Sequence, residues 1–188
     1  MTKNNTNHEK VLWITRTAVL TALLVVLQWA TAGTKAFAGQ YITGSCVNAV
    51  LAVAVLTSGL WSGVTVAVLS PFCAKLFGIG PQLIQIVPAI SVGNVVFVVL
   101  LHLLLTKKQW NLPIQLGMVL AAAAAKFLTL YLLVVKFIVP MMSASLKPKQ
   151  IAMFSAMFSY PQLITALIGG VIAVLIAPVI KKALAKQN

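Results

Sequence analysis

LPIQLGMVLAAAAAKFLTLYLLVVKFIV, residues 112–139, contains no acidic side chain and only two cations, Lys126 and Lys136. A bilayer core takes about 20 apolar residues of helix, so this stretch is long enough to cross one. Pro140 follows directly and ends the helix by removing a backbone donor. Lys126 falls near mid-membrane, just after the run Ala121 to Ala125, whose small side chains let a neighbouring helix approach closely. An unpaired ammonium at that depth costs about 2.5–3.5 kcal/mol on insertion scales. The segment therefore sets the fold class, helices in a membrane, and raises the question of what neutralises a lysine buried in one.

The rest of the chain reads the same way. With 61% hydrophobic and 8% charged residues, and a mean hydropathy of +1.02, its 188 residues belong with polytopic membrane proteins. Six apolar spans are predicted, over residues 11–30, 43–56, 61–77, 82–105, 112–139 and 151–180. Pro71 is expected to kink the third, Pro88 and Gly93 to interrupt the fourth, and Pro161 with Gly169-Gly170 to break the sixth. The tracts ATAGTKAFAGQYITGS (30–45) and MMSASLKPKQ (141–150) read as loops, too polar to lie against lipid. The resulting expectation is all-α: a single six-helix transmembrane domain over residues 11–182, between a disordered tail at 1–10 and a short tail at 183–188. No internal repeat stands out, which argues against an inverted-repeat carrier. Ala36-Phe37-Ala38 matches a small-residue cleavage pattern, but the preceding apolar core is long enough to span and Lys35 stands before the pattern, so a retained first helix is expected.

Fourteen Lys and Arg face a single acidic residue, Glu9, in the polar N-terminal tail. Lys3, Lys10, Arg16, Lys107, Lys108, Lys181, Lys182 and Lys186 gather on the side of both termini, which the positive-inside rule makes cytoplasmic. Lys35, Lys75, Lys136, Lys147 and Lys149 lie on or near the opposite side, and Lys126 lies within the bundle. These six read either as lipid-headgroup anchors or as groups awaiting an anion. No basic stripe forms, which argues against nucleic acid. Carboxylate pairs, acidic metal cages and carboxylate proton relays are excluded by composition, and no GxxxxGK[ST] is present, so no catalytic residue, metal or cofactor is expected in this chain. His102 reads as an interfacial or packed histidine, and Cys46 and Cys73 as buried free thiols.

Groups suited to binding are concentrated toward the outer face: Lys35, Gln40, Tyr41, Thr43, Ser45 and Asn48; Gln82, Gln85, Ser91 and Asn94; Lys126, Tyr131 and Lys136; and Ser159, Tyr160, Gln162 and Thr165. Polar side chains at membrane depth face the bundle interior or a wet cavity. They serve either as interhelical hydrogen-bond glue or as walls of an outward-facing pocket. Glue is the reading for any single Ser or Thr, and a pocket for Asn48, Gln85 and Asn94 taken together. Lys126 has no carboxylate available in any span, so carbonyls, water, an anionic ligand or a snorkelling stem must satisfy it. Lys35, Lys147 and Lys149 would raise the local anion concentration at a pocket mouth. On the first span, Ala18 and Ala22 sit one turn apart on one face, a spacing that lets helices pack closely in lipid.

Six spans in under 200 residues, cytoplasmic termini, the AxxxA pattern of Ala18 and Ala22 and a long first outer loop resemble the substrate-binding S components of energy-coupling factor (ECF) transporters. The resemblance implies capture of a vitamin from outside, docking of the Ala18–Ala22 face onto a separate transmembrane coupling subunit, and two cytosolic ATPases that use ATP and Mg. The first outer loop, residues 31–42, would act as a lid. The stretches QYITGSCVNAVLAVAVLTSGLWSG and GPQLIQIVPAISVGNVVF are most similar to pantothenate-specific members. Folate, biotin and a membrane assembly subunit without a ligand remain the alternatives. Lys35, Tyr41, Asn48, Gln82, Gln85, Asn94, Lys126, Tyr131 and Gln162 are the expected substrate-binding residues.

Overall fold

The computed structural model describes residues 3–32, 36–106 and 110–185. Among them the chain is a helical bundle: α1 (Lys3–Ala32), α2 (Ala36–Ser58), α3 (Leu60–Leu76), α4 (Ile86–Leu105), α5 (Leu112–Leu130), a π-helix (Tyr131–Ile138) running into the short α6 (Val139–Met141), a 3-10 turn (Ser143–Ser145), α7 (Pro148–Met157) and α8 (Tyr160–Ala185). Five segments are long and apolar enough to cross a membrane, namely Glu9–Thr31, Gly39–Ser58, Ile86–Leu105, Leu112–Met141 and Pro148–Ala185; Leu60–Leu76 is a shorter apolar helix. The junctions α1–α2, α3–α4 and α6–α8 share one end of the bundle, called here the mouth end.

Several boundaries differ from the sequence expectation. The helix α1 begins at Lys3, so part of the tail expected to be disordered is helical. The tract at 30–45 is not a long loop: α1 runs to Ala32 and α2 starts at Ala36, so most of the expected lid is helix. Within it, Thr43 bonds Thr31 on α1 at 2.7 Å and Gln40 bonds the Met157 carbonyl at 2.7 Å, while Ser45 is buried. Pro71 lies inside α3 and Pro88 in the first turn of α4, where a missing backbone donor is tolerated; neither ends its helix. The sixth span does divide, into α7 and α8, but at Phe158–Ser159 rather than at the glycines. Cys46 and Cys73 are free but only half-buried. His102 is likewise half-buried, in the last turn of α4, and its carbonyl accepts from Thr106 Oγ1 at 2.5 Å. Gly59, with φ of 89°, makes the one-residue reversal between α2 and α3, a conformation open to glycine and costly to other residues.

Gly44, Gly63, Gly93, Gly169 and Gly170, all inside helices, mark close approach rather than breaks. The most extensive interface joins α2 to α8. A Cβ on Gly169 would fall 2.5 Å from both the Ala49 backbone nitrogen and Asn48 Cβ. The two backbones therefore nearly touch, and this contact fixes where Asn48 sits.

Two apolar clusters fill the bundle. One is built from α1, α2, α3, α4, α5 and α8 and includes Leu24, Leu51, Val66, Phe97, Leu101, Val119 and Ala173. The second, toward the mouth end, contains Ile86, Leu130, Val134, Phe154 and Phe158. Along α4, Asn94 falls between Ala89 of the second cluster and Phe97 of the first. Along α5, Lys126 falls between Ala123 of the first and Leu130 of the second. A polar layer thus separates two dry ones. The helix α1 is fastened from the side by Thr17 Oγ1, which donates to the fully buried Ser62 Oγ on α3 at 2.9 Å.

Gly169→Val should destabilise the detergent-purified protein by about 3 kcal/mol or more, since overpacking against backbone cannot relax by a rotamer change. Gly117→Ala on α5, where an added Cβ meets nothing within 4 Å, should be neutral or stabilise by up to about 1 kcal/mol. Thermal unfolding of the two variants reads both outcomes; equal behaviour would refute the close α2–α8 packing.

Candidate functional site

The polar layer opens onto a cavity of about 420 Å³ that reaches the mouth end, within the range of small-molecule sites. Its deep wall is a three-residue arrangement. Lys126 Nζ donates to Asn48 Oδ1 at 2.5 Å and to Asn94 Oδ1 at 2.6 Å, and sits 5.5 Å from the centre of the Phe97 ring. Lys126, Asn48 and Asn94 are each at most 2% exposed. Because a lysine only donates, both amides must turn their oxygens to it. The Asn48 nitrogen then bonds Gly44 O at 2.8 Å and Thr165 Oγ1 at 3.4 Å, whereas Asn94 Nδ2 has no partner among the described residues.

Energetics account for the retention of a lysine here. Hydrogen bonds to a charged group contribute about 1.5–3 kcal/mol each, the same order as the cost of placing a lysine at the bilayer centre. Two amide oxygens and an aromatic face thus hold the cation without cancelling its charge. As an ammonium, Lys126 keeps a third N–H. The only acidic side chain in the sequence, Glu9, lies at the far end of α1, so the bundle supplies no counter-ion.

The other walls come from four directions. Gln28 and Thr31 on α1 and Gln40, Thr43 and Gly44 on α2 line one side; Ser70 and Ala74 on α3, with the Gly78–Pro81 turn, line another. Met157, Phe158, Gln162 and Thr165 close the third, and Ile90 joins Asn94 and Lys126 on the fourth. Gln40 Nε2 and Gln162 Nε2 both donate to the Met157 carbonyl, at 2.7 and 3.1 Å, which ties α2 and α8 to the end of α7.

Of the residues expected from sequence, Asn48, Asn94, Lys126 and Gln162 line the cavity. Lys35 lies outside the described residues. Gln82 and Gln85 do not line it, because α4 starts only at Ile86 and both are exposed on the preceding loop. Tyr131, five residues beyond Lys126 at about 100° per residue, points elsewhere and packs on Phe127 with ring centres 5.9 Å apart. Tyr41 sits about two turns along α2 from Asn48 and is not among the lining residues. Gln28 and Ser70 were missed. Each is a single polar residue in an apolar run, although Gln28 shares the helical phase of buried Thr17 and Leu24, a usable signal.

The surplus of cations narrows to one residue. Lys75 Nζ donates to the Pro81 and Gln82 carbonyls, both at 3.0 Å. Lys136 is exposed and lies 5.6 Å from the Tyr131 ring centre, and Lys147 and Lys149 are exposed. Only Lys126 among the described lysines is buried at the cavity. On α1, Ala18 and Ala22 are exposed on the face away from the bundle, together with Val11, Ile14, Val19 and Val26.

The family model described as the ECF transporter, substrate-specific component, matches residues 13–181, from the first turns of α1 to nearly the end of α8. Comparison with curated proteins and with solved structures gave no match. A match over most of the chain, with five helices able to span a bilayer, makes this a multi-pass membrane protein that belongs to the family of substrate-specific components of ECF transporters.

Proposed function

We propose that this chain captures a small carboxylate, pantothenate first among them, from the outside of the cell, and hands it to an ATP-driven module of separate subunits. The observation that carries the substrate class is Lys126: a fully buried cation beside a cavity, fixed by two amide oxygens, in a bundle with no acidic side chain to pair it. A carboxylate accepting the remaining Lys126 N–H and the unpartnered Asn94 Nδ2 would complete both groups at once. Pantothenate has a carboxylate at one end and hydroxyls and an amide along its length, which suits walls of Gln, Ser, Thr and Asn. Its selection over folate or biotin rests on the similarity of residues 40–63 and 80–97 to pantothenate-specific members.

The cations flanking both termini favour an orientation with the mouth end outside and the termini in the cytoplasm. The exposed Ala18–Ala22 face of α1 then lies in the inner half of the membrane, available to a transmembrane coupling subunit, with two cytosolic ATPases supplying ATP and Mg chemistry. Small residues on an outward face let a partner helix approach to backbone distance.

Two measurements test this reading. Calorimetry on the purified protein should show pantothenate binding, weakened by about a hundredfold or more in Lys126→Met, and similarly weak binding by wild type of the analogue whose carboxylate is replaced by a primary alcohol. Equal affinity for acid and alcohol would remove the anion assignment. Separately, Ala18→Trp or Ala22→Trp should abolish vitamin uptake in cells while leaving binding by the isolated subunit within about twofold of wild type. Surviving uptake would show that the docking face lies elsewhere.

A further inference from the structure

The cavity carries a second unmatched group, on the side facing away from Lys126. Gln28 is 8% exposed, lines the cavity, and its Oε1 is buried with no hydrogen-bond partner among the described residues. The helix α1 packs on α2 and α3, whereas α5 packs on α4 and α8, so Gln28 and Lys126 approach the cavity from different sides. The Thr31–Thr43 bond at 2.7 Å gives a common reference for depth. From it Gln28 lies about 4.5 Å deeper along α1 and Asn48 about 7.5 Å deeper along α2, at 1.5 Å per residue. Acceptor and cation therefore reach nearly the same layer. Ser70 Oγ, also buried, unpartnered and lining the cavity, lies on α3 beside α1.

A buried amide oxygen without a donor costs free energy comparable to a lost hydrogen bond. Asn94 Nδ2 and Lys126 are donors that an anion satisfies; Gln28 Oε1 is an acceptor that an anion would repel. We propose that Gln28 is a specificity-determining residue that accepts a hydrogen bond from a hydroxyl or amide N–H of the substrate. The site thereby selects molecules bearing a carboxylate at one end and a hydrogen-bond donor a short distance away, and rejects plain carboxylates such as fatty acids. This rests on the reading of the Lys126 side as the carboxylate subsite. It also places a substrate contact on α1, the helix whose exposed face carries Ala18 and Ala22, so the ligand is bonded directly to the element proposed to dock.

The test uses Gln28→Met, which keeps side-chain length and removes the amide. The first readout needs no ligand: losing an unsatisfied buried acceptor should leave the melting temperature of the unliganded protein equal to or above that of wild type. A clear fall would mean that the amide has a structural partner and would overturn the proposal. The second compares pantothenate with its analogues in which either hydroxyl is replaced by hydrogen or the amide nitrogen is methylated. Wild type should discriminate against at least one analogue by about tenfold or more, and Gln28→Met should bind pantothenate about tenfold more weakly while losing that discrimination. An unchanged discrimination pattern in Gln28→Met would overturn the assignment. Failure of wild type to bind pantothenate would count against the choice of vitamin, and the unliganded melting temperature would then decide the role of Gln28.

Discussion

A lysine ammonium held by two amide oxygens in the middle of a helical bundle is the constraint around which this molecule is organised. Lys126 can sit on α5 at mid-span only because α2 and α4 each bring an asparagine to it. Asn48 reaches it because α2 lies almost backbone to backbone against α8, through Gly169. Asn94 reaches it because α4 and α5 pack side by side, with Phe97 one turn further along beneath the cation. The cluster is a meeting point of three helices, and the two apolar layers on either side isolate it from water except through the cavity.

The arrangement is polar yet incompletely matched, as expected of a site rather than of structural glue. Glue would pair every group, since a half-satisfied network in a dry interior is less favourable than an apolar one. Here, among the described residues, the cation lacks an anion, Asn94 Nδ2 lacks an acceptor, and Gln28 Oε1 lacks a donor, and all three residues line one cavity. Of the four buried side-chain atoms without a partner among the described residues, those of Gln28, Ser70 and Asn94 belong to residues that line the cavity, and only Ser45 Oγ lies off it. Among the lysines whose side chains are described, the others have partners or lie at the surface, which localises the electrostatic preference to a single point.

Much of the fold was legible because spanning helices are set by the length of apolar runs, a property of composition that survives local ambiguity. Errors came where single residues were read by their usual roles. Gly169 was taken as a helix breaker, but in a tightly packed bundle the absent side chain serves approach between helices. Pro88 was taken as an interruption, yet it falls in the first helical turn, where its missing donor is not needed. The tract at 30–45 reads as a loop because its polarity suits no lipid face; folding turns Thr31, Gln40 and Thr43 to a cavity that the linear sequence cannot display. Lys126, Asn48 and Asn94, which line the cavity, are legible in the sequence because depth in an apolar span makes a polar residue conspicuous. Gln85 and Tyr131 lie off the cavity for geometric reasons: one precedes its helix, and the other is rotated away from the lysine.

The central claim is that Lys126 is the counter-charge for an anionic substrate. A ligand-bound structure of the purified protein tests it most directly. The account predicts a carboxylate oxygen within about 3 Å of Lys126 Nζ, with Asn94 Nδ2 donating to the same group. A bound substrate whose anionic end lay elsewhere, with Lys126 still bonded to the two asparagines alone, would contradict it.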